Sequence, residues 1–220
     1  MLGGSRTYDD PCGIARALDA VGERWALLVV RELLLGPKRF NQLRRGLPGP
    51  SPNVLSQRLR DLEQAGIVRR YELEPPARVP VYELTERGRA LEPILLELGR
   101  WGSQEPIASS AELSPDALLI AMKTTFSARA ARDLDAEWGL ILDSERYRIR
   151  VRAGAVDIAR GRADHPVASL ETDAATLRSL VFTGASLADA ISRGMLAVSG
   201  PKRTVARLFG LFSRPAKLKP

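Results

Sequence analysis

Asn53, Ser56, Gln57, Arg60 and Gln64 carry amide, hydroxyl and guanidinium groups at intervals of three and four residues. At ~100° per residue they share one face of a helix running from Pro52 to Ala65, with Leu55, Leu59 and Leu62 opposite. These are the groups that hydrogen-bond base edges: Arg to guanine, Asn or Gln to adenine, Ser to either. That face holds no acid; Asp61 and Glu63 lie on its flanks. An ordinary solvated face would be polar too, but it would normally mix in carboxylates. Around it stand groups suited to phosphates: Lys38, Arg39 and Arg44 before it, Ser51 at its start, Arg58 on it, and Arg78 beyond it.

Other chemistries find little support. No Ser/His/Asp or Cys/His set, phosphate-cradling glycine motif or paired-carboxylate motif stands out, so no catalytic residue, cofactor or enzymatic activity is expected. The single histidine, His165, precedes Pro166 in a turn-like stretch. The single cysteine, Cys12, rules out an intrachain disulfide, and with one histidine it cannot build a zinc cage; no metal site is expected. Cys12 follows Asp9, Asp10 and Pro11, whose negative charge works against a reactive thiolate. A structural cysteine and a redox sensor both remain open.

The interface must be positioned by helices. Ile14, Ala17, Leu18 and Val21 give an amphipathic helix over Cys12 to Val21, broken by Gly22. Arg24 to Leu35 reads as a buried second helix. A third follows Pro37, with Phe40, Leu43 and Leu47 inward. After the turn Gly46 to Pro50, Ser51-Pro52 caps and opens the fourth helix. Val68 to Leu73 and Val79 to Leu84 read as a hairpin whose tip is Glu74-Pro75-Pro76-Ala77-Arg78. Arg69 and Arg70 at its base are either phosphate contacts or partners of Glu72 and Glu83. Thr85 caps a last helix, Glu86 to Trp101, with an apolar stripe of Leu91, Ile94, Leu95, Leu98 and Trp101 and a possible kink at Pro93. A helix, a turn and a second, outward-reading helix followed by a hairpin make a winged helix-turn-helix.

The bulk composition agrees. The chain has 220 residues, too many for one winged helix, and 45% hydrophobic residues, enough for packed cores. Two domains are expected, 1–106 and 113–220, joined by a small, polar stretch from Gly102 to about Ser114. No apolar run approaches the ~20 residues that span a bilayer, and Met1 to Asp10 has no secretory pattern, so a cytoplasmic protein without membrane contact is expected. The net charge of +7 and pI near 10.1 invite a nucleic-acid partner. The informative part is local: Gly36 to Arg70 has eight basic residues against two acidic ones.

Residues Cys12 through Gly102 resemble HxlR-type regulators, a winged-helix branch related to the MarR type. The resemblance is carried by "RFNQLRR", "LSQRLRDLEQAGIV" and "YELTERGRAL" in matching order and spacing. It implies double-stranded DNA as partner and a homodimer whose N-terminal and last helices pack across the two-fold. Leu91, Leu95, Leu98 and Trp101 would then lie at the dimer interface. A dimer sets two recognition helices roughly 34 Å apart, hence a palindromic operator. The expected function is that of a dimeric repressor.

The second half changes texture. Leu118 to Phe126, Ala136 to Leu142, Arg146 to Arg152, Ala155 to Arg160, Val167 to Glu171 and Met195 to Val198 read as strands. Asp173 to Phe182, Ser186 to Ser192 and Pro201 to Phe212 read as helices. The whole is α+β: an N-terminal winged helix-turn-helix and a C-terminal α+β module. The stretches "YRIRVRAGAVDIARG" and "ASLETDAATLRSLVFTGASLADAISRGMLAVSGP" resemble the sterol carrier protein type two domain. That resemblance implies an apolar cavity for a small hydrophobic effector, walled by Leu177, Leu180, Phe182, Leu187, Ile191, Met195, Leu208 and Phe212. The same residues would equally fill a plain core, and a lipid carrier remains a rival reading. Finally, Arg146, Arg148, Arg150 and Arg152 alternate with apolar residues and share one strand face. They are a solvent face paired with neighbouring acids, an anion site for a ligand carboxylate, or a further contact to DNA phosphate.

Overall fold

The computed structural model describes residues 7–104 and 112–212. The chain divides into two compact units, Met1–Leu95 and Leu96–Pro220. Most of the polar stretch expected as a linker falls outside the described residues.

The first unit opens with α1 (Gly13–Val21), α2 (Ala26–Leu33), α3 (Phe40–Gly46) and α4 (Pro52–Gln64). Leu55, Leu59 and Leu62 of α4 are at most 1% exposed and meet Val29, Val30 and Leu33 of α2 and Leu43 of α3 in one apolar core. Burying each such side chain stabilises the fold by about 1.5–3 kcal/mol. The start of α4 follows its sequence signal: Pro52 occupies the first turn and Ser51 Oγ accepts from the Val54 N–H. Strands β1 (Val68–Glu72) and β2 (Pro80–Leu84) pair antiparallel from Val68↔Leu84 to Glu72↔Pro80. Lys38 adds a bridge to this hairpin, exchanging two backbone hydrogen bonds with Tyr82 (2.9 and 2.8 Å).

The expected single helix from Glu86 to Trp101 is two helices, α5 (Glu86–Arg89) and α6 (Glu92–Gly102). The break at Ala90 puts Pro93 at the second residue of α6. There its missing N–H costs nothing, so it starts a helix rather than kinking one.

The second unit is a five-stranded sheet in the order β5-β4-β3-β6-β7 with helices against one face. Its strands are β3 (Ala136–Leu142), β4 (Glu145–Arg152), β5 (Ala155–Arg160), β6 (Ala168–Thr172) and β7 (Leu196–Ser199). β3 and β6 run parallel and the other pairs antiparallel. Two-residue turns, Asp143-Ser144 and Ala153-Gly154, join β3 to β4 and β4 to β5. All four residues have positive φ (49°, 70°, 50° and 74°), the backbone that matches the twist of a hairpin.

One expectation is overturned here. Leu118 to Phe126, read as a strand, lies mainly in a helix, α7 (Pro115–Thr124). Leu118, Leu119, Ile120 and Met122 are all buried, so α7 is apolar nearly all round and shows no amphipathic period. Its start repeats the α4 signal, with Ser114 Oγ accepting from the Ala117 N–H and Pro115 in the first turn. The remaining helices are α8 (Ala174–Arg178), α9 (Leu187–Ser192) and α10 (Lys202–Phe209). The segment expected as helix from Asp173 to Phe182 passes into a π turn at Ser179–Thr183.

Trp138, Leu140, Tyr147, Ile149 and Leu170 fill the covered face of the sheet. Two polar ties fix its helices: the Tyr147 hydroxyl donates to Asp116 Oδ1 of α7 (2.6 Å), and Trp138 Nε1 donates to the Thr204 carbonyl of α10 (3.2 Å). Arg160 joins the first, donating to the same Asp116 oxygen at 2.7 Å. Among the described residues no helix is long and apolar enough to cross a membrane.

Candidate nucleic-acid interface

The α4 helix divides as its sequence divides. Asn53, Gln57, Arg60 and Gln64 are exposed and Ser56 is half-buried, opposite the buried leucines. The outer groups form a network: Arg60 donates to Gln57 Oε1 (2.5 Å), and Gln57 Nε2 donates to Asp61 Oδ1 (2.7 Å). The amide and guanidinium that would read bases are therefore held in place in the free protein. Val54, 40% exposed on the flank, was not singled out by sequence; a methyl-bearing side chain there is suited to a thymine methyl.

The basic residues separate into two groups. Arg39, Arg44 and Arg45 are exposed around α3, and Arg78 is exposed at the hairpin tip with φ +38°. Lys38 and Arg58 do not share that surface. Lys38 is 4% exposed, and its ammonium donates to Glu32 Oε2 at 2.6 Å inside the unit. Arg58, with 12% of its side chain exposed, donates to Glu23 Oε2 (3.2 Å) and Asp61 Oδ2 (3.0 Å), tying α4 to the segment after α1. Both cations are committed to carboxylates, so the geometry gives them a structural task rather than a phosphate. Arg69 at the hairpin base is likewise bound to Glu83, which also accepts from Arg89. Burial would push the Glu83 carboxyl up, but the hydrogen bonds and charges of Arg69 and Arg89 outweigh it and hold it below the usual carboxylate range.

A second residue that the sequence reading did not mark is Trp25. It stands before α2 with φ +78°, and its ring lies so close to Gly49 that a Cβ there would come within 2.3 Å of it. Gly49 belongs to the turn between α3 and α4, so the indole seats the turn that aims the outward helix. The Arg24 guanidinium covers the same ring at 5.0 Å from its centroid.

Of the residues expected at a dimer interface, Leu95 is buried in the first core and Leu91 is half-buried against it. Leu98 and Trp101 are 47% and 69% exposed, and Ile94 between Leu91 and Leu98 is 59% exposed. On α1, Ile14 and Leu18 are 72% and 42% exposed. Cys12 is exposed at the start of α1.

The expected ligand wall is dispersed. Leu177, Leu180, Leu208 and Phe212 are buried, Phe182, Leu187 and Ile191 are half-buried, and Met195 is exposed. A cleft of about 400 Å³ runs past Asp143, Glu171, Asp173 and Met195. Another of about 490 Å³ is lined by Leu118, Asp143, Asp173, Arg178, Ser179 and Thr183, with others. Of the expected wall, only Met195 borders either of these two clefts. Among the described residues no group of three or more His, Cys, Asp or Glu could hold a metal ion.

The first unit thus has the build of a winged helix-turn-helix. Residues 20–108 match the family described as HxlR-like helix-turn-helix. The chain belongs to that family. It is 42% identical over 90 residues to the HTH-type transcriptional regulator YvaP of Bacillus subtilis, spanning 82% of that protein and 40% of this one. It is 41% identical over 104 residues to the regulator sll1512 of a Synechocystis strain, spanning 76% of that protein and 47% of this one. Among solved structures, the redox regulator HypR in its oxidized form is 38% identical, over 43% of this chain and 98% of its own, with a TM-score of 0.39. Residues 105–217 match a second family, described as alkyl sulfatase C-terminal. The resemblance expected there was to sterol carrier protein type two; the family found carries a different description.

Proposed function

We propose that the protein is a cytoplasmic, dimeric DNA-binding repressor. In this reading residues 1–106 bind DNA and dimerise, and residues 113–220 respond to an effector. The observation that carries it is the outward face of α4: exposed Asn53, with Gln57 and Arg60 hydrogen-bonded to each other, over a fully buried leucine row. In a helix-turn-helix this face enters the major groove. Ser51, Ser56, Arg39, Arg44 and the hairpin-tip Arg78 would add contacts to flanking phosphates and the minor groove. Family membership and regulator relatives support the class. The exposed Ile14, Leu18, Ile94, Leu98 and Trp101 support a dimer, since isolated subunits rarely leave so many large apolar groups in water. A palindromic operator follows from a two-fold dimer.

The effector is proposed as a small hydrophobic molecule. The apolar interior around Leu177, Leu180, Leu208 and Phe212 supports it. A redox response through Cys12 is the second reading, favoured by the exposure of that thiol.

The test is a binding titration of wild type and Arg60→Ala against DNA flanking its own gene, at two salt concentrations. Tight, salt-sensitive binding by wild type, with site preference relaxed by roughly 1–3 kcal/mol in the variant, is expected. Preference unchanged in Arg60→Ala would refute the role of this face.

A further inference from the structure

The sheet of the second unit has helices on one face only. On the other, the described residues leave β4 presenting Arg146, Arg148, Arg150 and Arg152 in a row. Alternate residues on a strand are about 6 to 7 Å apart. That is close to the distance between neighbouring phosphates along a nucleic-acid backbone.

The surroundings make the row accessible. Its flanking strands offer small side chains on this face: Gly139, Ala155, Ala159, Ser169 and Ala197. The β5–β6 loop crosses the face only at Gly139 and Glu137, with Ala163 over Gly139, and Arg146 and Arg150 remain exposed.

Most acids nearby are engaged; Glu171 is exposed on β6, separated from Arg146 by Ile141. In register, Arg150 lies between Glu137 and Asp157. The Glu137 carboxylate accepts the backbone N–H groups of Asp164 (2.7 Å) and His165 (3.3 Å) in the β5–β6 loop. Asp157 is held by Arg148 at 2.7 Å. Arg152 approaches Asp135 at 3.6 Å, with both groups well exposed. Arg146 and Arg150 have no carboxylate within 4.0 Å among the described residues, and neither is buried.

We infer that this open sheet face is a second DNA-binding surface, one that grips the phosphate backbone without reading sequence. The inference takes the identity of the polyanion from the regulator reading; the face itself is argued independently of α4. All four residues are arginine, whose planar fork matches phosphate oxygens two at a time. The chemistry of the face disfavours other partners. Ile141 beside the row is its half-buried large apolar side chain, Val167 and Met195 (each 40% exposed) stand only at the margins, and among the described residues its strands place no aromatic side chain there. A membrane-seeking surface needs apolar groups to insert, and a protein interface needs aromatic anchors.

The experiment compares full-length wild type with Arg146→Gln/Arg150→Gln, Arg146→Lys/Arg150→Lys and Arg60→Ala. Each is titrated with an operator duplex and a random duplex across a salt series, and with vesicles of phosphatidylserine and phosphatidylcholine. Each lost phosphate contact lowers the slope of log affinity against log salt by about one. The glutamine pair should flatten the slope by about two and weaken both duplexes alike, leaving the preference between them intact. The lysine pair should keep the wild-type slope. Both positions are on the sheet surface, and an unchanged melting temperature certifies the fold. A wild-type slope in the glutamine pair overturns the inference; if Arg60→Ala then still relaxes preference, the regulator reading stands alone. Loss of vesicle binding with duplex binding intact overturns it in favour of a membrane. Failure of wild type to bind any duplex overturns both.

Discussion

Replacing Lys38 with methionine keeps much of the side chain's length and removes its charge. The Glu32 carboxylate is then left at 0% exposure without the ammonium that sits 2.6 Å from it. Breaking a buried pair from one side costs about 3–5 kcal/mol where the remaining charge is left uncompensated. Arg31 stays on the other carboxylate oxygen at 2.9 Å, and its side chain is 22% exposed, which favours the low end, about 3 kcal/mol. At ~1.4 kcal/mol per tenfold, that is roughly a hundredfold in local opening. Hydrogen exchange of the full chain should show it as faster exchange of the α2 and α3 amides, with the second unit unaffected. Replacing both partners, Glu32→Leu with Lys38→Met, should recover part of the loss, since the apolar pair carries no desolvation penalty while Arg31, 22% exposed, gives up its carboxylate. The DNA prediction runs opposite to a surface lysine's: because the charge is already committed to Glu32, the salt dependence of binding should not change. A slope reduced by about one, with exchange unaltered, would show that Lys38 faces phosphate and would refute the internal pair.

Three further outcomes follow from the geometry. Gly49→Ala drives a Cβ to within 2.3 Å of the Trp25 ring, so it should lower the unfolding midpoint and weaken operator binding together; wild-type affinity would show that the turn tolerates displacement. The Glu83 carboxyl titrates below its unfolded value of about 4.5, so its contribution to stability is present above that pH and is lost as pH falls through the folded value. Melting curves of wild type and Glu83→Gln should therefore differ at neutral pH and converge in acid; a constant gap would refute the ion pairs. Leu98→Arg with Trp101→Arg places charge on an exposed apolar stripe and should shift sedimentation from dimer to monomer, with loss of operator affinity; an unchanged mass would remove α6 from the interface.

What could be read from sequence depended on how far each signal reached along the chain. Leu55, Leu59 and Leu62 recur at helical period, and Ser51-Pro52 marks where the helix starts, so α4 and its outer face were legible. The Ser114-Pro115 start of α7 is the same signal, yet the apolar run behind it reads equally as strand. A helix buried on all sides has no polar phase to betray its period. The fate of Lys38 and Arg58 was hidden for a different reason. Lysine and arginine are mostly exposed, and only the fold brings Glu32 and Glu23 to them. The apolar stripe after Thr85 was half legible: its period places Leu95 and Leu98 alike, but the depth that separates a core residue from an exposed one belongs to the packed unit.

Lys38 has a consequence for the kind of DNA site such a protein can use. Lys38 stands two residues before α3; its backbone is joined to Tyr82 of the hairpin and its side chain to Glu32 of α2. The hairpin and the helix pair are thereby clamped into one body, like two prongs of a fork with no joint between them. Both prongs arrive at a duplex in a single event, and the second contact incurs little additional loss of freedom. The same rigidity fixes their separation. An operator half-site in which the groove positions are offset by one inserted base pair would meet one prong and miss the other. Adaptation to a new operator would therefore proceed by exchanging side chains on the prongs, with the interval between them conserved by the clamp.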